Sequence, residues 1–126
     1  MSLEIKTVST AEACPATIAG PYVFLSGQIP IDSKGTPLQG SIAEKTHACC
    51  KSVKAVLAAA GSDISRVAKV TVFLSDMDNF AEFNSVYETY FVHKPARSCV
   101  AVRTLPKGLE VEIECVALAN ATASRL

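Results

Sequence analysis

The sequence predicts a two-layer α+β domain, a mixed β-sheet carrying two helices on one face, in the order β-β-α-β-α-β-β. Three observations predict it. Segments 42–60 and 80–91 carry apolar residues at helical spacing, so each has one stripe to bury. Five other segments are short and rich in β-branched or aromatic residues, bounded by glycine, proline, serine or aspartate. No repeat, linker or low-complexity stretch divides the 126 residues, which predicts a single domain over 1–126 with a core of its own. Helices with one apolar stripe need a sheet to cover, and the strand pattern supplies it.

In chain order, Ile5–Val8 reads as a first strand and Tyr22–Ser26 as a second. Between Gly27 and Gly40, Pro30, Gly35 and Pro37 mark a loop or irregular hairpin. Ser41 and Glu44 have capping-box spacing and open a helix. Its stripe runs through Ile42, Thr46, Cys49, Val53, Val56, Leu57 and Ala60 to Gly61. His47, Lys51 and Lys54 lie off that stripe, which reads His47 as solvated. Val67–Ser75 is a largely apolar, central strand. Asp76 or Asp78 caps a second helix whose Phe80, Phe83, Tyr87, Tyr90 and Phe91 read as core. Pro95 stops it, and Ser98–Thr104 and Glu110–Leu118 are the last strands.

Composition excludes several functions. Net charge is zero and no lysine/arginine stripe runs along any element, so no nucleic-acid partner is expected. No run approaches the length of a membrane span, and neither a signal nor a transit peptide is evident, which predicts a cytoplasmic protein without a membrane partner. Five cysteines without C-x-x-C spacing read as reduced, mostly buried thiols. With only His47 and His93, far apart, no metal site is expected.

The chemistry concentrates between Pro95 and Leu118. Glu110, Glu112 and Glu114 alternate with Val111, Ile113 and Cys115, which places three carboxylates on one face of a strand. That face turns apolar at Val116 and Leu118, as a surface covered by a neighbouring subunit does. A hairpin closing around Pro106–Lys107 sets Ala101 opposite Glu112 and Cys99 opposite Glu114. Arg97 and Glu112 then share a face, separated by roughly 13 Å of strand. An arginine fork binds a carboxylate bidentately, and a glutamate among apolar neighbours can activate a water. On spacing alone, an ordinary solvated ion-pair network is the competing account and the favoured one.

Pro95-Ala-Arg-Ser-Cys-Val100, Leu105-Pro-Lys-Gly108 and Val111-Glu-Ile-Glu-Cys115 resemble the C-terminal signature of the RidA (YjgF-like) reactive-intermediate deaminases. Ser26-Gly-Gln-Ile-Pro30 resembles their N-terminal signature, and Val70-Thr-Val-Phe-Leu74 with Asn79-Phe-Ala-Glu-Phe-Asn84 their central one. The match runs from about Tyr22 to Leu118, and its wording is closest to fungal members. The resemblance implies a chorismate-mutase-like homotrimer with active sites in the clefts between subunits. It implies cofactor-independent hydrolysis of 2-imino acids, such as 2-iminobutanoate and 2-iminopropanoate, to 2-keto acids and ammonia. It places the carboxylate clamp on Arg97, the water-holding glutamate on Glu112, and further substrate contacts on Ser26, Gly27, Asn84 and Cys99. One departure stands out. The family's Gly-Pro-Tyr falls about a dozen residues before its Ser-Gly-Gln, whereas Gly20-Pro21-Tyr22 falls four residues before Ser26, so Tyr22 is not carried over. Two other readings remain, a carboxylate-binding module without catalysis and an endoribonuclease or translation inhibitor.

Overall fold

The computed structural model describes residues 4–8 and 15–120. Six strands form one mixed sheet: β1 (Ile5–Val8), β2 (Ala16–Ala19), β3 (Tyr22–Gln28), β4 (Val67–Leu74), β5 (Ala96–Ala101) and β6 (Val111–Leu118). Their order across the sheet is β1-β2-β3-β6-β4-β5. Two helices, α1 (Ile42–Ala59) and α2 (Phe80–Tyr90), pack on it. The α+β class is as the sequence predicts, with one strand more. The sequence does not announce β2, because Ala-Thr-Ile-Ala holds only two good β-formers. It pairs with β3 across Gly20-Pro21, and Gly20 takes the positive φ (59°) that tight hairpins favour at that place. Gly20-Pro21-Tyr22 is therefore a hairpin tip. Tyr22 starts β3 beside Leu118, and the region a dozen residues before Ser26, with Cys14, lies outside the described residues.

The helices form where the sequence places them. Ser41 accepts from the Glu44 amide and the Glu44 side chain answers the Ser41 amide, closing the capping box. We expect Ser41→Ala to cost about 1 kcal/mol, read as a lowered midpoint in thermal unfolding. Thr46, Cys49, Val53 and Leu57 are buried from α1, and Phe83, Tyr87 and Phe91 from the α2 segment, over Val70, Val72, Val111 and Ile113 of the sheet. Asp76 caps a 3-10 turn, Met77–Asn79, that leads into α2. His47 is exposed, and its Nδ1 lies 3.1 Å from the Tyr90 hydroxyl.

The C-terminal hairpin does not form. β4 lies between β5 and β6, parallel to the first and antiparallel to the second. The β4-α2-β5 crossover delivers β5 alongside β4, and the nine residues 102–110 carry the chain past the end of β4. That step spans two strand spacings, roughly 10 Å, too far for a tight turn. Cys99 therefore stands beside Val72 rather than Glu114, and Ala101 beside Leu74 rather than Glu112.

Candidate active site

The change of partner moves Arg97 to the other side of the sheet from Glu112. Arg97 pairs with Val70, whose side chain is fully buried against the helices. Glu112 pairs with Phe73 and alternates with the buried Val111 and Ile113, so it faces away from the helices. The expectation that the two share a face is overturned. Glu110 leaves the carboxylate row as well. It precedes β6 and forms an ion pair with Lys45 of α1.

On the helix side, α2 braces Arg97. The guanidinium lies 4.7 Å from the ring centre of Tyr87 and 5.3 Å from that of Phe80. Its Nη1 donates to Asn84 Oδ1 at 2.6 Å. Such ring contacts contribute about 0.5–2 kcal/mol each and fix the plane of the fork. All three supports are uncharged, and among the described residues no carboxylate lies within ion-pair distance of Arg97. A cation held in place and left uncompensated is suited to an anionic ligand. A hollow of about 330 Å³ opens beside it, lined by Asn84, Tyr87, Glu88, Lys94 and Pro95 among others. Cys99 follows two residues on along the same face, half-buried. Burial raises its thiol above the ordinary value, the opposite of what an activated nucleophile needs, while Arg97 pulls the other way. Burial pushes the Cys50 and Cys115 thiols up to about 12.

On the open side, β3 carries a bulge between Leu25 and Gln28. Leu25 pairs with Cys115 and Gln28 with Ile113, so Ser26 and Gly27 together stand opposite Glu114. Gln28 turns inward, where its Oε1 accepts from Ser52 of α1 at 2.7 Å. The Glu112 carboxylate lies directly over Gly27. Burial first, and the neighbouring Glu114 second, hold the Glu112 carboxyl above the usual carboxylate range. Among the described residues neither Glu112 nor Glu114 forms an ion pair. Lys69, the cation on the adjacent strand, donates instead to Ser98 Oγ at 2.9 Å.

The predicted residues thus fall into two halves. Arg97, Asn84 and Cys99 are together on the helix side at the β5 edge, and Ser26, Gly27 and Glu112 are together on the open face. The sequence reading missed the bracing by Phe80 and Tyr87. Their spacing with Asn84 along α2 was visible, but only the β4-β5 pairing places Arg97 beneath them.

The chain matches the family described as Endoribonuclease L-PSP over residues 6–119. It belongs to that family, also called YjgF or RidA. Protein HMF1 of Saccharomyces cerevisiae is 52% identical over 96 residues, covering 75% of this chain and 74% of that protein. The mitochondrial protein MMF1 of the same yeast is 44% identical over 119 residues, covering 94% of this chain and 82% of MMF1. The crystal structure of yeast Mmf1 superposes with a TM-score of 0.85, covering 92% of this chain and 94% of that one. The 2-iminobutanoate/2-iminopropanoate deaminase of Escherichia coli is 39% identical over 126 aligned positions, covering 90% of this chain and 97% of the deaminase. The L-PSP/YjgF chain shares the chorismate-mutase-like α+β fold of these relatives. Among its described residues no helix is long and apolar enough to cross a membrane.

Proposed function

We propose that this protein hydrolyses reactive 2-imino and enamine acids to 2-keto acids and ammonia, in clefts where Arg97 of one copy faces Glu112 of the next. The observation that carries this reading is the division of the site. A braced, uncompensated cation lies on one side of the sheet and a carboxylate of raised proton affinity on the other. One chain does not bring them together; in the proposed assembly a second copy does. Tyr22, Phe24, Val100 and Leu118 are 38–47% exposed, which gives the copies an apolar surface to bury. Such head-to-tail contacts close into a ring, and the family resemblance implies three copies.

The chemistry asks little beyond placement. The protonated imine carbon is electrophilic, and Arg97 fixes the adjacent carboxylate bidentately. Glu112 takes a proton from water as its oxygen bonds to that carbon, forming a carbinolamine. Glu112 passes that proton to nitrogen and then takes the hydroxyl proton as the C–N bond breaks, so that ammonia leaves as the carbonyl forms. Asn84 holds the fork, and Ser26, Gly27 and Cys99 line the cleft. No cofactor takes part in these steps. The deaminase name of a relative 39% identical supports the reading.

The reaction needs ionised Glu112, so its protonated, inactive form persists to higher pH than for an ordinary glutamate. Activity is expected to rise with pH through that raised value. Glu114→Gln removes a like charge, and the acid limb of the pH profile is expected to move to lower pH.

The test is a trapping assay. A dehydratase generates 2-aminoacrylate or 2-aminocrotonate, semicarbazide captures the remaining imine, and the protein is expected to suppress capture. Unchanged capture with retained binding of a keto acid supports the non-catalytic module instead. Cleavage of RNA without suppression supports the activity in the family's descriptive name, which a formal charge of zero disfavours. A cytoplasmic location is part of the proposal, and a mitochondrial pattern from a fluorescent fusion overturns it.

A further inference from the structure

We propose that Gly27 is the positioning residue of Glu112, whose carboxylate keeps its place because position 27 carries no side chain. This rests on the assignment of the water to Glu112. A Cβ at Gly27 would lie 2.5 Å from Glu112 Cδ, 2.6 Å from Oε2 and 2.8 Å from Cγ, and these are its three nearest neighbours. The backbone does not demand glycine here, since Gly27 is absent from the residues with positive φ. What excludes a side chain is the glutamate itself.

The surroundings leave that glutamate few other places. Two residues of the β3 bulge stand opposite Glu114, which brings the bare Cα of Gly27 beneath the end of Glu112. Across β4 stands the half-buried ring of Phe73. Along β6 the next outward side chain is Glu114, a like charge. Of the titratable groups around Glu112, Glu110 is held by Lys45, Lys69 is turned toward Ser98, and Cys49 lies behind the sheet on α1. The bulge itself, Ser26–Gln28, contributes none. Gly27 thus acts on the reaction through the place it leaves for Glu112, apart from any substrate contact of its own.

The colliding atoms are the far end of a flexible side chain, so Gly27→Ala is expected to fold with Glu112 displaced. Its unfolding midpoint is expected to stay near that of the native protein, while kcat falls about 100-fold with KM little changed. The Glu112 carboxyl, followed by carbon-13 NMR, is expected to titrate at lower pH as it swings into water. Adding Gly27→Ala to Glu112→Gln is expected to cost nothing further. An unchanged carboxyl titration in Gly27→Ala overturns the proposal, and so does a full further loss in the Glu112→Gln background. Should Gly27→Ala fail to fold, Gly27→Ala with Glu112→Ala removes the collision and is expected to fold; a second failure also overturns it. Native hydrolysis by Glu112→Gln alone refutes the base assignment, and the carboxyl titration still decides whether Gly27 seats the glutamate.

Discussion

Replacing Arg97 with lysine is expected to lower kcat/KM for a 2-imino acid by about 100-fold while the fold survives. Lysine keeps the charge and most of the stem. It loses the flat fork that lies beside Tyr87 and Phe80 and donates to Asn84. A point charge on a flexible chain still attracts the carboxylate, but it no longer fixes the direction of the imine carbon. The loss should therefore appear in both KM and kcat, because part of the clamp's contribution is binding common to ground and transition states and part is orientation. Circular dichroism should stay native and the unfolding midpoint should fall only by what the weakened ring and Asn84 contacts supply, since Arg97 is an edge-strand residue outside the sheet core. Turnover near the native value in Arg97→Lys refutes the clamp.

Glu112→Gln is expected to lower kcat by about 100- to 1,000-fold and to leave binding of a keto-acid product analogue nearly unchanged. Glutamine fits the space over Gly27 and retains hydrogen-bonding groups, so the change is confined to the loss of a base. Glu110→Gln serves as the comparison. It breaks the ion pair with Lys45 and touches stability, not the water, so its kcat should remain close to native. A native rate in Glu112→Gln means that the protein only orients a substrate that is already reactive.

Local periodicity made much of this legible. The stripes of α1 and α2, the capping box and the alternation of Val111, Ile113, Cys115 and Ala117 all depend on neighbours within a few residues, and the structure follows them. Strand pairing depends on distant segments and is less legible in the sequence. β5 and β6 are consecutive strands separated by a Pro-Lys-Gly turn, which reads as a hairpin until β4 is placed between them. Because Arg97 pairs with Val70 and Glu112 with Phe73, that one insertion decides which faces the two occupy. The bulge at Ser26-Gly27 was legible only as a motif. Its physical reason, two residues facing Glu114 with Glu112 lying over the second, needs coordinates.

Subunit mixing decides whether one site draws Arg97 and Glu112 from different copies. Arg97→Lys and Glu112→Gln chains, each nearly inactive alone, are co-expressed in equal amounts and the imine-trapping assay is run on the purified assembly. In a ring of three, about three quarters of the assemblies are mixed, and every mixed ring contains one interface with both residues intact. Activity is expected to recover to about a quarter of the native value, on the same closed-ring count. If the two residues served a site within a single chain, no mixture would contain an intact site, so activity that stays at the level of the separate variants would rule out a site shared between copies.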